Sequence, residues 1–430
     1  MKINQLQSWA LNISFACFAV LLLSTLGAAQ VYKITTIPTL GGKASFDHPN
    51  TVIAINNKGQ TLGYSLTTAG VGHVGLWTPG SGVQDVGGSI LVGALNNLGH
   101  IAGVYPGGGA FLWTPSAGFQ NFGTGQFSAT GINDLDQITG YYASTSIVMD
   151  HAFLWTAGSP AEFQDLGTLA TSTNLISQGY GINESGQVVG VSQTGNRGKT
   201  AGFIWSNSTG MQATTLLNAV SINNDAQVLG SIAAHSSLYG HAAIWTQSSG
   251  KKDLGVLPGG TYSFATVINN RGFVIGDADG PDGKLYLYLW TPTGGMINVN
   301  TLVKRPGQSL GAIGMNDAGQ IAAAGTDGQA YVLTPIIAVT DSSSHNPSTL
   351  GQPVTFTATA SSIIGPPPDG EIITFKSSGA VIGTAQLVNG TATFTTSSLK
   401  AGSHTFSAVY PGDINYATSK SKTSTQVVNR

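Results

Sequence analysis

Cysteine, charge and glutamate are all scarce in this 430-residue chain. Its one cysteine, Cys17, lies inside an apolar N-terminal run, so everything after it is thiol-free. That excludes disulfides, a cysteine nucleophile and zinc–thiolate chemistry from the rest of the chain. Charged residues make up 8% of the sequence, where about 25% is ordinary. The net charge of −2 leaves no electrostatic footprint for nucleic acid or an anionic membrane. Glutamate occurs three times, at Glu162, Glu184 and Glu371, which argues against an enzyme built on paired glutamates. No G-x-S-x-G elbow, H-E-x-x-H helix or phosphate loop occurs; "PGGG" (106–109) lacks the Lys-Ser/Thr of a P-loop.

What is abundant is glycine, 59 residues of it, with 41% apolar content. A glycine-rich, charge-poor chain with enough apolar residues for real cores reads as an all-β secreted protein. The N-terminus agrees. Lys2 precedes "ISFACFAVLLL" (13–23), too short to span a bilayer, and "LGAAQ" (26–30) supplies small residues for cleavage after Ala29. Residues 1–29 are therefore expected to be a signal peptide, leaving no membrane span in the mature chain.

An internal repeat dominates the next three hundred residues. "AINNKGQTLGY" (54–64) recurs six more times, and its leading asparagines are Asn56, Asn96, Asn133, Asn183, Asn223, Asn269 and Asn316, spaced 40, 37, 50, 40, 46 and 47 apart. The residue after each asparagine is Asn, Asp or Glu. Glycine stands three places on in five copies, and Asp136 and Ala226 replace it in two. Asn and Asp bond locally to the backbone and Gly supplies positive φ, so each copy reads as a hairpin. The Asp136 and Ala226 turns should be strained or of another type.

A second motif follows in every unit: "HVGLWT" (73–78), "GAFLWT" (109–114), "HAFLWT" (151–156), "AGFIWS" (201–206), "HAAIWT" (241–246), "YLYLWT" (286–291) and "QAYVLT" (329–334). These runs read as third strands, and a short fourth strand such as "FQDLGTL" (163–169) comes after. Seven such meanders predict a seven-bladed β-propeller over residues 30–335, of four-stranded antiparallel blades. "VYKITTIPTLGG" (31–42) matches a fourth strand, which the seventh unit lacks, so the N-terminal strand is expected to close the ring. The repeat set resembles the HAF-repeat family of extracellular bacterial proteins, which implies secretion far more than it implies an activity.

Beyond residue 335 the asparagine repeat stops and Ser and Thr rise. "GQPVTFTATA" (351–360), "ITFK" (373–376), "AGSHT" (401–405) and "YPGDINY" (410–416) alternate with period two or mark turns. They resemble a bacterial Ig-like repeat domain over residues 336–430, an Ig-like β-sandwich. That resemblance implies a spacer or adhesion module. Tyr410 and Tyr416 read as packing residues.

His73, His151 and His241 recur at one position of the third strand, so they read as structural hydrogen-bonding groups rather than a site. The tryptophans of that strand read as packing between blades. "DADGPDG" (277–283) offers Asp277, Asp279 and Asp282 as candidate Ca²⁺ ligands, with a solvated hairpin as the other reading. The loops between second and third strands and between units vary and carry Tyr64, Tyr105, Tyr141, Tyr142, Asp150 and His48. A rigid scaffold with variable aromatic loops is how binding faces are built, so these six are the candidate ligand-binding residues. The expectation is a secreted or cell-surface, monomeric, non-catalytic adhesion protein. It recognises a glycan or a surface protein through that face, with the Ig-like domain as spacer. The rival is a secreted propeller enzyme acting on polysaccharide, which would need acids such as Asp47, Asp150 and Asp277 to converge.

Overall fold

A computed structural model describes residues 31–43, 51–143, 150–158, 162–170, 175–195, 198–234, 237–303 and 309–430. The expected signal peptide, Asp47 and His48 lie outside these ranges. Two compact units emerge, one spanning Ile34–Leu333 and the other made of Thr334–Arg430 together with residues 31–33.

The first unit is a seven-bladed propeller of four-stranded antiparallel sheets. Blade one runs Thr51–Ile55, Thr61–Leu66, Gly72–Thr78 and Gly82–Gly88. Blades two to six repeat this order, and the inner strands contact one another around the ring. In the seventh blade the outer place is taken by Tyr32–Thr36, paired with Ala330–Pro335. Chain entry and exit thus share one sheet, and the N-terminal strand covers the edge that Ala330–Pro335 would otherwise leave open.

The repeated asparagine explains the closure. Its Oδ1 accepts the backbone N–H groups two and four residues on, as Asn183 does from Ser185 and Gln187 at 3.1 and 3.0 Å, which fixes the hairpin between inner and second strands. Its Nδ2 then donates to the carbonyl oxygen of the next blade's asparagine. The bonds run Asn56 to Asn96, on through Asn133, Asn183, Asn223 and Asn269 to Asn316, and from Asn316 back to Asn56, at 2.9–3.1 Å. All seven asparagines are buried, between 2% and 5% exposed. The following residue makes a second closed ring, because each backbone N–H of Asn57, Asn97, Asp134, Glu184, Asn224, Asn270 and Asp317 donates to the side-chain oxygen of its counterpart one blade on. The position needs a side-chain oxygen that reaches the preceding blade, and Asn, Asp or Glu supplies it in every unit.

Both exceptions to the glycine rule keep the same turn: Asp136 and Ala226 have φ of 56°, and their N–H groups donate to Asn133 and Asn223 as the glycines do. Asp136 has a compensation. The Gln that sits four places after the asparagine in most units is His100 in blade two, and His100 Nδ1 meets Asp136 Oδ1 at 2.8 Å. The two departures from the repeat are partners. Ala226 has no such contact, and a left-handed Cβ costs about 1 kcal/mol. Ala226→Gly is therefore expected to stabilise the fold by about 0.5–1 kcal/mol, read as a higher denaturation midpoint. Asp136→Gly should give no such gain, because it loses the His100 contact.

Another glycine recurs in the second strand. At Gly63, Gly140, Gly190 and Gly276 a Cβ would run into the carbonyl oxygen of Thr51, Ser128, Gln178 and Phe264 on the inner strand. That approach coincides with a register shift in every inner strand, such as Val52/Ala54 and Ala312/Gly314. Between blades, five tryptophans (Trp113, Trp155, Trp205, Trp245 and Trp290) are 5–7% exposed. Trp155 stacks on Phe122 of blade two at 4.2 Å between centroids.

The second unit is an Ig-like sandwich of a three-stranded and a six-stranded sheet. Phe356 from the first stacks on Phe406 of the second at 3.9 Å. Tyr410 and Tyr416 are buried with centroids 6.5 Å apart.

Candidate functional site: the variable end of the blades

The asparagine hairpins and the short third-to-fourth turns occupy one end of the blades. The opposite end carries the second-to-third connections, and there the units differ. The candidate residues fall into three groups at that end.

Tyr141 and Asp150 come together. Tyr141 lies two residues before the end of the second strand of blade three (Gln137–Ala143), and Asp150 begins the third. Asp150 accepts from Gln178 Nε2 at 2.8 Å, and Gln178 Oε1 accepts from the Tyr180 hydroxyl at 2.7 Å. Burial, then Tyr141 and Asp150, push the Tyr180 hydroxyl up. All four side chains are half-buried, so polar groups from blades three and four line one spot with partial access to solvent.

Tyr142 points to the other side of its strand. Its hydroxyl donates to Asp165 at 3.0 Å, and burial followed by that carboxylate pushes it up to about 12. Asp165 also meets His151 Nδ1 at 2.9 Å and accepts from Gly167 N at 2.8 Å. Tyr105 in blade two is its counterpart, donating to Asn121 at 2.6 Å. These tyrosines were expected in loops; the ladders extend further, and Tyr64, Tyr141 and Tyr142 are strand residues.

Tyr64 and Asp277 hold the ring together instead. Tyr64 Oη accepts from Val92 N at 3.0 Å, and Asp277 Oδ1 accepts from Ala312 N at 3.2 Å. Val92 and Ala312 stand at the bulge of the next inner strand, where a backbone N–H has left the ladder. The structure does not bring the three carboxylates of "DADGPDG", the calcium candidates, onto a common partner set. Asp279 is 5% exposed and accepts from Thr261 N, Thr261 Oγ1 and Tyr262 N. Asp282 accepts from the Tyr286 hydroxyl at 2.7 Å and pairs with Lys284. Each carboxylate is committed to a different partner set, and among the described residues no group of three or more His, Cys, Asp or Glu gathers to hold a metal. Asp150 and Asp277 sit in blades three and six on separate partners.

The sequence reading missed the partner of the repeated histidine. His73, His151 and His241 meet Asp85, Asp165 and Asp253 of the fourth strand at 2.9 Å each. The signal was present, because that strand reads "QDVG", "QDLG" and "KDLG" in these units, whereas Asn121, Ala213 and Asn298 stand there in blades two, four and six. The pairs brace third against fourth strand, and the fourth strand feeds the next blade: Ser177 Oγ donates to Gly167 O and accepts from Ala152 N.

A family described as bacterial Ig-like domain (group 3) matches residues 340–429. No curated protein matches the chain. Among solved structures, the chain is similar to the BT4673 extracellular domain from B. thetaiotaomicron, at 9% identity and TM-score 0.42 over 93% of this chain and 58% of that one. TolB from Acinetobacter baumannii matches at 10% identity and TM-score 0.37, over 70% of this chain and 63% of that one. A third likeness is to YCF48 bound to D1 peptide, at 11% identity and TM-score 0.43 over 70% and 96%. The chain thus spans less than two thirds of the length of the first two. Among the described residues no helix is long and apolar enough to cross a membrane.

Proposed function

We propose that this is a secreted or cell-surface binding protein that recognises a glycan or a surface protein through the variable end of its propeller, with the Ig-like domain as spacer. One observation supports this above the others. At one end of the blades two hydrogen-bond rings hold a single residue pattern through all seven units. At the opposite end of the same strands residue identity is free to vary, and there Tyr141, Asp150, Gln178 and Tyr180 converge from two blades. A scaffold fixed at one end and varied at the other suits recognition. The apolar N-terminal run and the Ig-like domain fit an extracellular setting.

The test is capture of the full chain, expressed with its N-terminal segment, on arrayed glycans and bacterial envelope fractions. Tyr141→Ala and Tyr180→Ala are expected to weaken retention at least tenfold with unchanged circular dichroism. Undiminished retention by both variants would contradict the placement of the site.

A further inference from the structure

One position separates blades two and three from the others. The outer-strand residue opposite the blade's tryptophan is Val83, Phe119, Phe163, Met211, Lys251 and Met296 in blades one to six. The two phenylalanines are 40% and 44% exposed. Each lies against a tyrosine, Phe119 at 6.4 Å from Tyr105 and Phe163 at 5.0 Å from Tyr142, centroid to centroid. Each tyrosine in turn holds the polar residue two places beyond the phenylalanine, Asn121 or Asp165. Each ring packs inward on a buried phenylalanine, Phe119 on Phe111 at 5.0 Å and Phe163 on Phe153 at 5.5 Å between centroids, and leaves its outer side open; Val, Met and Lys fill the position in other blades. An open aromatic face beside fixed polar groups suits a ligand that carries both apolar and hydroxyl surface.

We propose that these two aromatic shelves, on adjacent blades, are subsites for one neutral polysaccharide chain. Phe119 and Phe163 stack on the apolar faces of two sugar rings. Asn121, Asp165 and His151 bond the hydroxyls around each ring. The tyrosine hydroxyls hold Asn121 and Asp165 in place before the ligand arrives, which reduces the ordering cost of binding. Charge decides between kinds of saccharide. The shelves hold one carboxylate, already paired with His151, and no Lys or Arg among these residues, so an acidic polysaccharide would meet no countercharge. The phenylalanines stand one residue into their outer strands, beside the third-to-fourth turns, and Tyr105 and Tyr142 reach them from the variable end; the inference rests on the recognition reading above and extends the ligand from that end along the outer strands.

Affinity electrophoresis of the full chain tests it, in native gels cast with a neutral β-glucan, a neutral α-glucan, a neutral galactomannan or an acidic uronan. At least one neutral gel is expected to retard the protein. The double variant Phe119→Met/Phe163→Met should then raise Kd at least tenfold. Methionine is what blades four and six carry at this position, so packing survives while the ring is lost; each single variant should fall between. Retardation only by the uronan, or equal retardation of the double variant, would overturn the proposal. If envelope capture still depends on Tyr141 while the double variant binds normally, recognition stands and the shelves do not. If neither gels nor arrays retain the chain, both fall.

Discussion

Asn183→Asp is expected to destabilise the propeller by about 3–5 kcal/mol, the largest effect of any single substitution considered. The aspartate keeps the Oδ1 that accepts from Ser185 and Gln187. It replaces the Nδ2 donor with an oxygen facing the carbonyl of Asn223 and Oε1 of Gln187, 3.1 and 2.8 Å away. Acceptor then meets acceptor at a site 3% exposed to solvent. Against a typical domain stability of about 5–15 kcal/mol, that loss is large. Urea denaturation followed by tryptophan fluorescence reads it, because the tryptophans lie between blades. Glu184→Gln is the matched control. It sits one residue along, in the second ring, and retains an oxygen for Asp134 N. Burial, with Asp134 nearby, raises its carboxyl, so the neutral amide should cost little. Equal losses from both substitutions would mean that the inner ring holds no special place.

The second large effect runs the other way. Asp277→Asn should stabilise the protein by about 2 kcal/mol at pH 7. Burial pushes the Asp277 carboxyl up to about 6 from 3.8, and the Ala312 N–H offsets only part of that. The folded state therefore holds the proton more tightly than the unfolded one. The contribution of Asp277 to stability is full below about pH 3.8 and is lost as pH rises through about 6. Above that, the fold carries a half-buried charge with a single backbone donor beside the buried Tyr288. Asparagine keeps an oxygen for Ala312 N and removes the charge. Denaturation midpoints from pH 4 to 7 should diverge between wild type and variant as pH rises; parallel curves would contradict the account.

Much of this fold was legible in the sequence because repetition converts weak local signals into strong ones. A single "INNKGQ" is a turn; seven of them at blade-sized spacing, with a fourth-strand segment displaced to the N-terminus, specify a closed propeller. The chemistry of the ring was half legible. The restriction after each asparagine to Asn, Asp or Glu was visible, but its cause is a bond to the next blade, 37 to 50 residues away in most cases and 260 across the closure. Local turn rules cannot supply that. Likewise His151 was visible as an optional residue, while its dependence on Asp165 required pairing third with fourth strands across units.

The candidate site was less legible for a physical reason. Whether Tyr142 reaches solvent or Asp165 depends on where its strand ends, and a tyrosine in a ladder looks like one in a loop when both are followed by polar residues. "DADGPDG" showed the same ambiguity. Its carboxylates are spaced for a cation in the sequence, yet alternation and backbone donors from neighbouring segments send them to different partners. The exposed pair Phe119 and Phe163 carried a signal that composition hides: they are aromatic where equivalent positions are Val, Met or Lys.

The central claim is that one end of the blades is architecture and the other is recognition. Hydrogen exchange on the full chain, alone and saturated with the neutral polysaccharide that retards it most, tests this directly. The expected result is slow exchange at the asparagine hairpins around residues 56–60, 133–137 and 183–187, unchanged by ligand, with new protection confined to residues 105–111, 119–123, 141–143, 150–153 and 163–167. Ligand-induced protection at the hairpins, with none at the variable end, would contradict it.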